Sequence, residues 1–166
     1  MVGLAVPYEA IVIPLYYNLK SVGLTNTYLS VILPVIGAFM PFGAFWMRSH
    51  FSNTPVGLIE AAQMDGASDL TILTKVLLPN SRAAVSTLSV LYFMWTWNQF
   101  LLVLIMIQDP SRETAPLGLV LFVGQYTTNL PLLSAGTLIV IAPVMIVYMI
   151  FQRQFIAGLA HGAIKG

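Results

Sequence analysis

The chain has no cysteine and very little charge. Its 166 residues include seven Lys or Arg, six Asp or Glu and two His, for a net charge of +1. Without cysteine, disulfides, thiol catalysis and cysteine-ligated metal sites are excluded. With no basic run, a nucleic-acid surface is excluded too. His50 and His161 are isolated, and neither has a second ligand at metal spacing. No Walker A, Gly-x-Ser-x-Gly or His-Glu-x-x-His pattern occurs. The chain is therefore not expected to be an enzyme, and no cofactor or metal is implied. Internal repeats and low-complexity tracts are also missing. The first apolar stretch lacks the basic start of a signal peptide, and Pro7, Glu9 and Pro14 interrupt it.

Apolar residues fill the space that charge leaves. They make up 58% of the chain, charged residues only 8%, and the mean hydropathy is +0.85. A soluble domain of this length cannot hide so much apolar surface, so lipid must be the solvent for much of it. Four stretches, near 2–19, 27–47, 83–107 and 132–151, approach the roughly 20 residues a helix needs to cross a bilayer. Glu9 is the one charged residue inside them. They lack the alternation of barrel strands, and helices satisfy their own backbone hydrogen bonds. The expectation is an all-α, polytopic membrane bundle of about four transmembrane helices, forming a single domain over 1–166.

Positive residues orient this bundle. Arg48, Lys75 and Arg82 fall in the loop 48–82, and Arg153 and Lys165 in the tail, whereas only Lys20 and Arg112 lie on the other side. That bias puts the long loop and the C-terminus in the cytoplasm of a multi-pass membrane protein. It leaves 18–26 and 108–131 outside. The outer stretch Leu117 to Val123 is apolar and reads as a short surface helix. Asn26-Thr27 is placed to cap the second span, whose Pro34, Gly37, Pro41 and Gly43 indicate a bent, closely packed helix.

The cytoplasmic loop reads as two short helices rather than a linker. Thr54 is a suitable N-cap, with Pro55 at the first helical position. The first helix passes through Glu60-Ala61-Ala62 and stops near Gly66. The second is expected to be capped by Ser68, with Asp69 in its first turn. Leu70, Leu73, Val76 and Leu77 then share one face, and Pro79 is expected to end it.

Glu60-Ala61-Ala62, three residues, Gly66, nine residues, then Val76-Leu77-Leu78-Pro79 closely resembles the EAA signature of permease subunits of binding-protein-dependent ABC importers. Val76 replaces the usual Ile. Ile13-Pro14-Leu15-Tyr16, Gly23-Leu24-Thr25-Asn26-Thr27, Pro41-Phe42-Gly43, Trp97-Asn98-Gln99-Phe100 and the ending Gly162-Ala163-Ile164-Lys165-Gly166 resemble the carbohydrate-importer branch, in order. The likeness covers the chain and is nearest the second permease of maltose-type or glycerol-phosphate-type importers. It implies passage of a sugar or related polyol. It also implies four kinds of partner: an ATP-binding subunit dimer, a homologous second permease, an extracytoplasmic solute-binding protein and membrane lipid. A full subunit of that branch has six spans, and the match here begins at the third. The resemblance therefore implies an N-terminally truncated product, a misplaced start or a fragment.

On this resemblance the ATPase-docking residues are Glu60, Ala61, Ala62, Asp65, Gly66, Ala67 and Leu70. The small alanines allow close approach, the two acids offer charge to a basic partner, and Gly66 permits the turn. Asn98, Trp95, Trp97 and Glu9 are candidates for a translocation path. Amides and aromatic faces suit hydroxyl-rich solutes, and an acid at the bilayer centre costs about 2.5–3.5 kcal/mol on insertion scales. The competing reading gives Asn98 and the tryptophans to helix packing and lets Glu9 snorkel to the surface. A structural membrane subunit with no transport path of its own, or an inactive fragment of such a permease, is the alternative for the whole chain.

Overall fold

The computed structural model describes residues 7–124 and 127–163, so Val2 to Val6 of the first expected span and the final Ile164-Lys165-Gly166 fall outside it. Among the described residues the fold is all-α, with one isolated antiparallel bridge, Val123 to Thr128, in place of any strand. Two compact units divide the chain. One is drawn from Met1–Pro41 and Tyr92–Tyr148, the other from Phe42–Leu91 and Met149–Gly166.

Helix α1 spans Tyr8–Ser21 and α2 spans Leu29–Phe51, with Pro34 and Pro41 inside it. The loop 52–81 holds α3 (Val56–Met64), α4 (Asp69–Ile72), a π turn over Leu73–Leu77 and α5 (Leu78–Asn80). Next come α6 (Arg82–Trp97) and α7 (Leu101–Met106). The segment 107–129 contains 3-10 turns at Pro110–Arg112 and Leu119–Phe122 around α8 (Ala115–Gly118). The final helix, α9, runs Leu130–Ala163 through Pro143. The short helix expected near 117–123 is therefore present as α8 and the turn after it.

Among the described residues two helices, Leu29–Phe51 and Leu130–Arg153, are long and apolar enough to cross a membrane. At 1.5 Å per residue they reach about 34 and 36 Å. No part of the apolar window of the second is buried, so its Leu138, Ile139 and Ile150 present bare hydrocarbon. The expected span 83–107 is not one helix. Asn98 turns its side-chain Nδ2 onto the Met94 carbonyl at 2.7 Å, competing with the backbone ladder there. Gln99 N–H donates instead to Thr96, and the helix restarts at Leu101.

In the first unit α1 packs on α7, and Val12, Val35, Leu102 and Met106 form the buried core. Val103, Ile107 and Leu117 make a smaller cluster, with Val31 against both. In lipid such packing rests on close van der Waals contact rather than on escape from water. Aromatic donors from α6 fasten the helices: Tyr92 Oη–H donates to the Phe39 carbonyl at 2.5 Å, and Trp97 Nε1–H to the Val140 carbonyl at 3.0 Å.

Helix α1 closes with the hydrogen bonds of a Schellman motif. Gly23, at φ +71, donates to Lys20, and Leu24 N–H donates to Leu19. Thr27 then caps α2 by accepting from Ser30 N–H at 3.3 Å. Asn26 does not share that task. It sits at φ +57, and its side chain accepts from the 107–112 segment instead.

Candidate functional site

The cytoplasmic loop expected from the sequence is an arm of two helical pieces within the second unit. Its ends are held. Trp46, near the end of α2, donates its Nε1–H to the Ala84 carbonyl at the start of α6, 3.1 Å away. Phe42, Trp46 and His50 stack along α2, and His50 Nδ1 lies 3.1 Å from the Trp46 carbonyl. The helices that carry the arm are thus joined beside both of its roots.

Helix α3 begins one residue later than expected. Pro55 takes the extended cap position, at φ −54 and ψ 127, and no side chain caps the helix. Thr54 is left outside it, 7% exposed, its N–H donated to Phe51. The other end follows the sequence closely. Gly66 at φ +76 donates to Gln63 at 2.9 Å, and Ala67 N–H reaches the Ala62 carbonyl at 3.0 Å. These two bonds make a Schellman stop and turn the chain back. Ser68 caps α4 as expected, accepting from Thr71 N–H at 3.4 Å with its hydroxyl 3.0 Å from that of Thr71. Asp69 occupies the first turn.

Two expectations for the second piece need correction. Pro79 does not end the helix, which continues through Asn80 and breaks at Ser81. Proline cannot donate to the carbonyl four residues back and its ring crowds that carbonyl. The turn just before it is widened, with Leu78 N–H bonded to Leu73 five residues back. The wider turn also changes which side chains face inward. Ile72 is buried, at 4% exposure, and Leu73, Val76 and Leu77 are half-buried, but Leu70 is 70% exposed. The inward face therefore includes Ile72 and excludes Leu70.

Helix α3 folds back against α4 and the π turn, yet none of its nine residues is buried. Isolated helices shorter than about 12–15 residues are marginal in water. An apolar helix of this length with no buried side chain is weakly supported by its own chain. Of the seven expected docking residues, Glu60, Ala61, Asp65, Gly66 and Leu70 are exposed, and Ala62 and Ala67 are half-buried beneath them. Met64, not singled out by sequence, is the most accessible large apolar residue among the described residues, at 88%. Between 54 and 81 there are three acids (Glu60, Asp65, Asp69) and one base (Lys75), a net charge of −2. Among the described residues no salt bridge engages those acids. The arm thus combines an acidic rim with exposed Met64, Leu70 and alanine.

The four path candidates are not brought together in this way. Trp97 is committed to Val140, and Asn98 is exposed but bonded to its own helix. Trp95 stacks at a tilt on Phe39 and Tyr92 and keeps 38% of its surface accessible. Glu9 is exposed in the first turn of α1, where a carboxylate favours the helix dipole. Among the described residues no group of three His, Asp or Glu is placed to hold a metal ion.

Residues 1–161 match the family of binding-protein-dependent transport system inner membrane components. An arabinooligosaccharides transport system permease protein of Halalkalibacterium halodurans is 34% identical over 166 residues, all of this chain and 59% of that protein. A probable ABC transporter permease protein of Bacillus subtilis, YurM, is 35% identical over 99% of this chain and 55% of its own length. A trehalose transport system permease protein of Mycobacterium tuberculosis, SugB, is 32% identical over 96% of this chain and 59% of its own. The chain spans less than two thirds of the length of these relatives.

Proposed function

Because this chain belongs to the family of inner membrane components of binding-protein-dependent transport systems, we propose that it is the membrane-spanning permease of an ATP-driven carbohydrate importer. In this reading it carries a sugar or related polyol across the cytoplasmic membrane. It spans the membrane about four times, with the arm and the C-terminus in the cytoplasm. Its partners are two copies of an ATP-binding subunit, a homologous second permease and an extracytoplasmic solute-binding protein. The sugar assignment leans on relatives named for arabinooligosaccharide and trehalose transport.

The observation that carries the coupling role is the arm. A transporter driven by a separate engine needs a stiff element, anchored at both roots and bare at its tip. The Trp46–Ala84 bond supplies the anchorage, and α3 with the Gly66 turn supplies the tip. Glu60, Ala61, Ala62, Asp65, Gly66, Ala67 and Leu70 dock on the ATP-binding subunit, and the net charge of −2 favours a basic rim on that partner. ATP binds the two conformations of the assembly with different affinity, and the arm transmits that difference to the helices. Of the path candidates, Trp95 and Asn98 keep accessible surface for a solute. Trp97 is assigned to packing and Glu9 to the end of α1.

Co-purification with the ATP-binding subunit of the source organism tests this reading. Wild type is expected to recover the subunit and Gly66→Pro to lose it. Equal recovery by both removes the arm from the docking surface.

A further inference from the structure

Asn26 makes long-range hydrogen bonds with both its side chain and its main chain, and none of them serves the helix beside it. Its Oδ1 accepts from both Gln108 N–H and Asp109 N–H at 3.0 Å, and its own N–H donates to the Met106 carbonyl at 2.9 Å. Its carbonyl accepts from Arg112 Nη1. The left-handed backbone, φ +57, lets one residue present side chain and main chain to the same segment, and Asn tolerates it where most residues do not. The segment it grips is itself braced. Asp109 accepts from the Ser111 N–H and hydroxyl, pairs with Arg112 at 3.5 Å, and Arg112 lies 6.0 Å from the Tyr28 ring centroid. Beneath this cluster Val12, Val35, Leu102 and Met106 are packed together.

We infer that Asn26 is a clasp that joins the α1–α2 turn to residues 106–112, making the ends of α1, α2 and α7 one rigid piece. Its role in transport, as a positioning residue that makes these ends move together during the conformational switch, rests on the permease reading. The clasp itself does not.

Amide hydrogen exchange on the full chain in nanodiscs tests the clasp directly. Asn26→Gly keeps the left-handed backbone and removes the side-chain acceptor. Exchange at Gln108 and Asp109 is expected to rise about tenfold, which corresponds to ~1.4 kcal/mol, while amides of α9 stay protected. Asn26→Asp keeps an acceptor oxygen and should restore protection at both amides. Unchanged protection in Asn26→Gly overturns the proposal, as does a failure of Asn26→Asp to restore it. If Asn26→Gly exposes the whole chain, Arg112→Gln replaces it: a rise confined to 106–112 supports the clasp and no rise there refutes it. Uptake is then measured with the assembled importer. Uptake that falls in Asn26→Gly and returns in Asn26→Asp supports the positioning role, and unchanged uptake removes it. A wild type that imports nothing sinks the permease reading and leaves the exchange result standing.

Discussion

Replacing Gly66 separates two reasons a glycine can be required. Its φ of +76 closes α3, and a Cβ built there meets nothing within 4 Å. The cost of a side chain is therefore conformational and not steric. An L-residue in the left-handed region loses about 1–2 kcal/mol, offset by about 0.4–1 kcal/mol from the less flexible unfolded chain. Gly66→Ala should thus weaken the turn by about 1 kcal/mol, roughly fivefold in its population. Gly66→Asn should cost less, because Asn visits this region readily. Gly66→Pro must rotate φ by roughly 140° and gives up the N–H bonded to Gln63, which together exceed about 3 kcal/mol. The assay is exchange protection at Ala67, whose N–H reaches Ala62 only when the turn is formed, read beside recovery of the ATP-binding subunit. Protection should fall in the order Gly, Asn, Ala, Pro, with Gly66→Leu close to Gly66→Ala, and recovery should be lost with Gly66→Pro. A loss of Ala67 protection in the permease alone that tracks side-chain volume instead would refute the reasoning, since it would mean that space and not backbone conformation limits the turn.

Ser68→Ala should weaken α4 by about 0.5 kcal/mol, the low end for an N-cap, because its bond to Thr71 is long and exposed; faster exchange at Thr71 checks it. Trp97→Phe should cost about 0.6–1 kcal/mol in a denaturation series through loss of the bond to Val140, with the KM for uptake unchanged. Asn98→Leu should alter uptake without comparable destabilisation, and unchanged transport with normal assembly would take Asn98 off the path. Hydrogen bonds from the Ser111 side chain and backbone, aided by Arg112, hold the Asp109 carboxyl below its ordinary value of 3.8. A depressed carboxylate stabilises above the unfolded value and loses that contribution as pH falls through the folded one. Protection at Ser111, corrected for intrinsic exchange, should accordingly hold from neutral pH to about 4 and drop below it, and Asp109→Asn should abolish that step.

The arm was legible because its signals are local. Gly66 and Ser68 act within three residues of themselves, and short-range chemistry of that kind survives any tertiary context. Thr54 misled because Pro55 holds an extended backbone well enough to occupy the cap itself. Pro79 misled because a π turn absorbs a proline that a regular helix would not, and the same turn moved Ile72 inward and Leu70 outward. The third apolar window looked continuous because hydropathy does not register Asn98 drawing its side chain back onto Met94. The bonds from Trp46, Tyr92 and Trp97 to carbonyls on other helices were beyond sequence reading, since indole or phenol position fixes neither partner nor helix. Asn26 was read as part of a cap, a local role, whereas its partners lie more than eighty residues on.

The chain has no cysteine, so Met64→Cys supplies its single thiol at the most exposed large apolar residue of α3. Cross-linking this variant in the assembled importer, with Val22→Cys on the α1–α2 turn as the control, tests the central claim most directly. The account predicts a cross-link from residue 64 to the ATP-binding subunit and none from residue 22. A cross-link from residue 22 and none from residue 64 would contradict it.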